Sequence, residues 1–185
     1  MIKKPRWYTA LCHRSVKSMK DKKGSGTLVF GLLFLIPFMV FTLFLVESRL
    51  LYIEKNIVDD AVVAAGLAAL SEFNPIDAAY GEYSLDPTEA RETFDKYLKS
   101  NLKLDNSFYP LPGSIAISPV RVEDFRVYNP VDLPTECPSG TALKYTTIHA
   151  VVSLKVERPA LKGLFGNEVD IVVHRDVDNY FVLSE

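Results

Sequence analysis

Hydrophobic residues dominate one stretch near the start of the chain. Residues 27–46 have the sequence TLVFGLLFLIPFMVFTLFLV and contain no charged side chain. An apolar helix of about 20 residues matches the thickness of a bilayer core, and a helix satisfies its own backbone hydrogen bonds in lipid. The pattern therefore predicts a transmembrane helix over residues 27–46.

After residue 46 the pattern becomes that of an amphipathic helix, which we predict to extend over residues 47–74. Pro75 follows this stretch, and the residue before a proline is pushed out of the helical region. The many alanines of this stretch give the helix a narrow face for close packing. This face packs either only on its own domain or on other copies and partner proteins as well. Its apolar positions, at three- and four-residue spacing, are Leu50, Ile53, Ile57, Ala61, Ala64 and Ala68.

Residues 75–185 have the patterns of a small α+β domain, which begins with a polar connector. A second helix is predicted to begin at Pro87, with Asp86 as its N-cap and Glu89 in the first turn. It should end near Leu104. Its apolar stripe consists of Ala90, Phe94, Tyr97, Leu98 and Leu102.

The remainder of the domain has the two-residue alternation of β-strands. Residues 114–128 predict one or two short strands, and a proline-rich loop covers residues 129–140. Residues 147–156 and 169–176 predict two longer strands, joined by a connector over residues 159–167, that pair as an antiparallel hairpin. The expected fold class is thus α+β and pilin-like: a long N-terminal helix, a second helix and an antiparallel sheet.

The charges on the two sides of the apolar stretch predict its orientation. Residues 1–23 carry eight basic residues and one acid, whereas residues 47–185 carry thirteen basic and twenty-two acidic residues. Basic residues beside a membrane span favour the cytoplasmic side. We therefore expect a basic cytoplasmic leader over residues 1–26 and an extracytoplasmic domain over residues 75–185, in a single-pass protein of the cell membrane. Topology explains the basic leader more simply than nucleic-acid binding does, and no nucleic-acid partner is expected.

A cleavable secretory signal is the main alternative to a retained anchor. Such signals have an apolar region of 7–15 residues that ends at a small-x-small site. Here the apolar stretch is longer and meets the charged edge of Glu47 and Arg49. We expect the segment to be retained.

The sequence offers little chemistry. It lacks a phosphate-binding glycine loop, a nucleophile elbow and a zinc-protease motif, so we expect no catalytic residue and no cofactor. His149 and His174 fall on the polar faces of the two long strands, and a hairpin that folds about Gly163 would pair His149 near Val177. Although Asp170, Asp176 and Asp178 near His174 suggest a metal site, a solvated polar face is the simpler interpretation, and we expect no metal.

Two cysteines lie on opposite sides of the predicted membrane span. Cys12 belongs to the leader and Cys137 to the exported domain, so they cannot pair with each other. Cys137 is expected to be a free cysteine, with an intermolecular disulfide as the alternative.

Three features together resemble the TadE/TadG-like family of pilus assembly proteins, which are pilin-like minor components of tight-adherence (Flp-type) systems. They are a basic leader ending in KKGSG, an apolar helix containing Pro37, and a small exported α+β domain. The local matches are GTLVFGLLFLIP at residues 26–37, DDAVVAAGLAAL at residues 59–70, and the closing hairpin at residues 151–173.

The resemblance implies partners: membrane lipid, other pilin-like subunits and the pilus assembly machinery, with a prepilin peptidase as a further candidate. In such pilins the leader is cut after a glycine, which makes Gly26 with Thr27, or else Gly24, the candidate processing site. A glutamate usually follows five residues later, but here those positions are Gly31 and Val29. This departure favours a minor, tip-located or membrane-resident role over that of the major repeating subunit.

Three functions remain open on the sequence. The first is a structural or assembly component of a pilus or secretion apparatus, whose helices pack side by side through Gly31 and the small residues of the extension. The second is a membrane-anchored extracytoplasmic domain that binds a small ligand. The third, a tethered enzyme, is the least favoured because catalytic residues are missing.

Overall fold

The computed structural model describes residues 23–73 and 84–178. The expectations for residues 1–22 of the leader, Cys12 included, and for most of the connector before the second helix lie outside these ranges. The described elements are the helices α1 (Lys23–Leu70), α2 (Pro87–Leu102) and α3 (Lys162–Phe165), a 3₁₀ turn (Pro130–Asp132), and the strands β1 (Arg121–Tyr128), β2 (Thr135–Glu136), β3 (Ala142–Leu143), β4 (Thr147–Glu157) and β5 (Glu168–Asp178).

The α+β prediction is confirmed: a long apolar helix, a second helix and an antiparallel sheet are present. The chain forms two compact units, Met1–Leu45 and Val46–Glu185. In the first unit, the large apolar side chains from Leu28 to Leu45 are 44–74 % exposed. The helix is thus long and apolar enough to cross a membrane.

In the second unit the C-terminal part of α1 and helix α2 share one hydrophobic core with a three-stranded sheet of order β1-β4-β5. Both strand pairs are antiparallel, and β1 carries an irregularity between Val122 and Asp124. The predicted hairpin is therefore correct, and its five alternating apolar positions from Ile148 to Val156 are all buried. Residues 114–128 provide one strand and an isolated bridge between Ala116 and Val156.

The predicted start of the second helix is confirmed in detail. The Asp86 side chain accepts hydrogen bonds from the backbone N–H groups of Thr88 and Glu89, at 2.7 and 3.1 Å. The helix ends at Leu102, and Lys103 takes the left-handed conformation of a C-cap with φ 54°. Tyr97, which we placed in the buried stripe, is 45 % exposed.

The stripe of α1 that packs on the domain is shifted by one position along the chain from the stripe that the sequence predicted. The structure buries Val58, Val62, Ala65 and Ala69 completely. Of the positions that the sequence favoured, Ala61 is buried and Ala68 half-buried, whereas Ala64 is exposed. Leu50, Ile53 and Ile57 are 39, 45 and 49 % exposed. Two apolar stripes run side by side on this helix, and periodicity alone cannot tell which one the sheet covers.

Two contacts explain why α1 and the sheet meet so closely. A Cβ atom at Gly66 would lie 2.8 Å from Val177 Cγ2, so a side chain here would push the helix away from the sheet. Glu47, which we took for the charged edge of the membrane span, is only 2 % exposed. Its carboxylate accepts hydrogen bonds from Arg158 Nη1 at 2.6 Å and from the Leu161 backbone N–H at 2.7 Å.

Candidate functional site

A cluster of metal-ligating side chains lies beside β4 and β5, on the polar face of the sheet. The register of the hairpin creates most of it, because His149 lies opposite Asp176 and His174 lies opposite Val151. Residues two apart on a strand point to the same face. The two imidazoles and the carboxylate therefore meet, and the histidine ring centroids are 4.7 Å apart.

Cys137 joins the cluster from the short β2–β3 hairpin. Its backbone N–H donates to Thr141 O at 2.9 Å, and the N–H of Gly140 donates back to Cys137 O at 2.8 Å. Gly140 has φ +85°, a conformation that suits glycine. This turn directs the thiol inward: Cys137 is 4 % exposed, and its Sγ donates to Asp176 Oδ2 at 3.2 Å.

The distances within the cluster are those of direct contact. His149 Nδ1 lies 2.7 Å from Asp176 Oδ1 and 3.2 Å from His174 Nε2. His174 Nε2 lies 3.7 Å from Asp176 Oδ1. One ligand atom from each of the four residues, the Cys137 sulfur included, lies within 4.8 Å of every other.

The far side of the His149 ring faces a second carboxylate. Its Nε2 atom is buried and has no hydrogen-bond partner among the described residues, although Asp124 Oδ2 lies 3.6 Å away. Arg126 donates a hydrogen bond to Asp124, which lowers the pKa of that carboxyl group. Asp124 is thus held as an anion beside the unpartnered nitrogen.

The expected solvated polar face is wrong for His149, whose side chain is 1 % exposed. The hairpin that carries Cys137 lies next to this end of β4, so the strand is buried on both faces there, including Thr147. Sequence reasoning placed His149 opposite Val177, one residue from the true partner. It missed Cys137 because the cysteine comes from a loop 37 residues before His174.

The residues predicted for leader processing and for helix packing lie elsewhere, on α1. Gly24, Gly26 and Thr27 belong to the first turns of this helix, which begins at Lys23. A Cβ atom at Gly26 or Gly31 would have open space around it, apart from the adjacent residues and the backbone of the helix itself. Pro37 lies inside the helix.

A surface candidate follows α1 beyond the apolar segment. Leu50, Ile53, Ile57 and Leu67 expose 39–53 % of their surface and follow the three- and four-residue spacing of one helix face. Ala64, on the same face, is also exposed. This exposed stripe belongs to the second unit and forms an apolar surface on it.

Comparisons of the chain with protein-family models, with curated proteins and with solved structures found no match.

Proposed function

We propose that this chain is a single-pass membrane protein that serves as a structural or assembly component of a Tad/Flp-type pilus or a related secretion apparatus. It acts by packing against other subunits and performs no catalysis. The observation that carries the proposal is the exposed apolar surface of α1, which includes the segment from Leu28 to Leu45 and the exposed stripe at residues 50–67.

Each part of this surface supports the proposal by a different physical argument. The first part has the length and the apolar composition of a membrane span. The second part bears apolar side chains where a soluble helix normally carries polar ones, and such patches mark contact sites. Pilin-like assembly uses both kinds of surface, one for contacts within the bilayer and one for contacts outside it.

The proposal also includes the orientation of the chain in the membrane. The basic leader remains in the cytoplasm and the acidic domain is exported, as the charge asymmetry of the sequence predicts. The apolar segment is retained as the anchor. The missing glutamate at Gly31 and Val29 favours a minor or membrane-resident subunit.

Site-specific crosslinking in whole cells tests the proposal. A photoreactive amino acid at Ile53 or Ile57 should give adducts with pilin-like subunits or pilus assembly proteins, identified by mass spectrometry. The matched control is Val58, which neighbours Ile57 and is completely buried against its own domain. It should give no intermolecular adduct.

The outcome separates this proposal from the ligand-binding alternative. Adducts at Ile53 and Ile57 that contain only proteins unrelated to pili, or no adducts at all, contradict assembly. A receptor domain would in addition show a rise in thermal midpoint with a small molecule. Such a rise without pilin-like adducts would favour the alternative.

A further inference from the structure

We propose that Cys137, His149, His174 and Asp176 form a structural zinc site that fastens the β2–β3 hairpin to the sheet. The ligand is a divalent cation of the zinc type, held by one thiolate, two imidazoles and one carboxylate. The inference does not depend on the proposed role in pilus assembly.

The ligand atoms lie close to the positions that a tetrahedral ion requires. Zinc binds nitrogen and oxygen at about 2.0–2.2 Å and sulfur at about 2.3 Å, which places neighbouring ligand atoms about 3.3–3.7 Å apart. Here the ligand atoms of the two histidines are 3.2 Å apart, and His174 Nε2 is 3.7 Å from Asp176 Oδ1. His149 Nδ1 and Asp176 Oδ1 are closer, at 2.7 Å, because they share a hydrogen bond that the ion would replace. With every pair within 4.8 Å, small side-chain rotations complete the tetrahedron.

The chemistry of the four ligands selects the metal. Thiolate and imidazole favour zinc and its neighbours, whereas magnesium and calcium prefer sites built from oxygen atoms. Four protein ligands close the coordination sphere, which is typical of structural zinc sites rather than catalytic ones. The ion can enter from the surface, because His174 is 34 % exposed while the other three residues are largely covered.

The unpartnered nitrogen of His149 is an independent observation that points to a ligand. A neutral imidazole has one N–H, yet a carboxylate oxygen faces each nitrogen of the His149 ring: Asp176 Oδ1 at Nδ1 and Asp124 Oδ2 at Nε2. A metal ion at Nδ1 leaves the proton on Nε2, directed at Asp124. A carboxylate behind a ligating histidine is a common feature of zinc sites.

Metal binding replaces hydrogen bonds within the cluster by bonds to the ion. In the structure the Cys137 thiol donates to Asp176 Oδ2. When zinc binds, the S–H bond breaks, the sulfur–zinc bond forms and the proton passes to solvent. The ion then links a short hairpin to β4 and β5, which raises the stability of the whole domain.

The test uses the full chain, purified in detergent and treated with chelator. Cys12→Ser and His13→Ala form the background, so that the leader cannot supply ligands. Titration with zinc against a chromophoric chelator should give one tight site per chain. Cys137→Ser and His174→Ala should each weaken binding on the order of 100-fold or more, and Asp124→Asn by about 10–100-fold.

Asp170→Asn is the matched control, because Asp170 lies on the same strand and face as Asp176 but is exposed and outside the cluster. It should bind zinc as the parent does. Cobalt in place of zinc should give the visible spectrum of a tetrahedral site with a thiolate band that disappears in Cys137→Ser. Circular dichroism without metal shows whether each variant folds.

A second measurement covers variants that do not fold. In the parent chain zinc should protect Cys137 from alkylation and raise the thermal midpoint. Absence of stoichiometric binding by the folded parent overturns the proposal, and so does equal affinity in Cys137→Ser, His174→Ala and Asp170→Asn. Zinc binding without protection of Cys137 overturns the assignment of the thiolate.

Discussion

Glu47 shows how a single residue links the long helix to the sheet connector. Its carboxylate is buried and accepts hydrogen bonds from Arg158 and from the backbone N–H of Leu161, just after β4. A charge at the end of an apolar segment is usually assigned to the membrane surface, as we did from the sequence. The partners lie more than 100 residues away, at separations of 111 and 114, so no local pattern predicts this contact.

Removing the Glu47 carboxylate should destabilise the domain strongly. Glu47→Ala leaves Arg158 without its counter-charge in a largely buried position, and breaking one side of such a pair costs about 3–5 kcal/mol. Chemical denaturation in detergent, followed by circular dichroism, measures the change in the free energy of unfolding. Glu157→Gln is the control: its exposed ion pair with Lys162 should contribute less than about 1 kcal/mol. Equal effects of the two substitutions would contradict this account.

Gly66 limits the separation of helix and sheet. We expect Gly66→Ala to destabilise the domain by about 1–3 kcal/mol because its Cβ would overlap Val177, although alanine is by itself the better helix former. A double-mutant cycle in thermal denaturation checks the cause. The penalty should become smaller in a Val177→Ala background, which removes the nearest methyl group. If Gly66→Ala costs the same in both backgrounds, the overlap with Val177 is not the cause of the destabilisation.

The residue scale also shows where sequence reasoning stops. The alternation along β4 and β5 predicted which side chains face the core, and these positions are buried apart from Val169, which is half-buried. Which side chains meet across the two strands depends on the register. A one-residue error moves a side chain to the wrong partner, and this error separated His149 from Asp176.

At the scale of elements, the start of α2 was the most predictable feature, whereas α1 ends at Leu70, four residues before the predicted end at residue 74. The start of α2 depends on local chemistry alone, since a carboxylate, a proline and two free N–H groups lie within four residues. The buried stripe of α1 was less predictable. Apolar side chains occupy two adjacent faces of this helix, and only the tertiary packing selects Val58 and Val62 over Ile57.

The N-cap of α2 should make stability depend on pH in acid. Hydrogen bonds from the N–H groups of Glu89 and Thr88 hold the pKa of Asp86 below its usual value. Its contribution is therefore complete above the pKa of an unfolded aspartate, about 3.9, and is lost as the pH falls through the lower pKa of the folded state.

Asp86→Ala should accordingly lower the thermal midpoint at pH 7, and the difference from the parent chain should shrink in acid below that window. Asp86→Asn is the matched control, because asparagine also caps helices but does not titrate. Thermal melts over a pH series provide the measurement. A difference between parent and Asp86→Ala that is the same at every pH would show that the charge of this cap is irrelevant.

The two stripes of α1 should respond differently to substitution. Ile57→Gln changes a half-exposed side chain and should leave the thermal midpoint almost unchanged while weakening association with partner subunits. Val58→Ala should lower the free energy of unfolding by about 1–2 kcal/mol, because it removes methyl groups from a completely buried position. Thermal melts and co-purification from membranes measure the two effects. A loss of stability in Ile57→Gln equal to that in Val58→Ala would contradict the division into a core stripe and an exposed stripe.

For the whole molecule, the charges on the two sides of the apolar segment predict how the chain is oriented in the membrane. The eight basic residues before the apolar segment should hold the N-terminus in the cytoplasm, while the acidic domain crosses the membrane. Protease added to intact spheroplasts should therefore digest the domain and spare an N-terminal tag.

Intact mass measurement of the membrane-extracted chain completes this prediction. A retained apolar segment should give a membrane-bound species that contains residues 27–46, whether or not the leader is cut at Gly26. A mature form that begins after residue 46 would show that the segment is a cleaved signal. In that case α1 would start near Glu47, and the contacts of Glu47 with Arg158 and Leu161 would lie at the new N-terminus of a secreted domain.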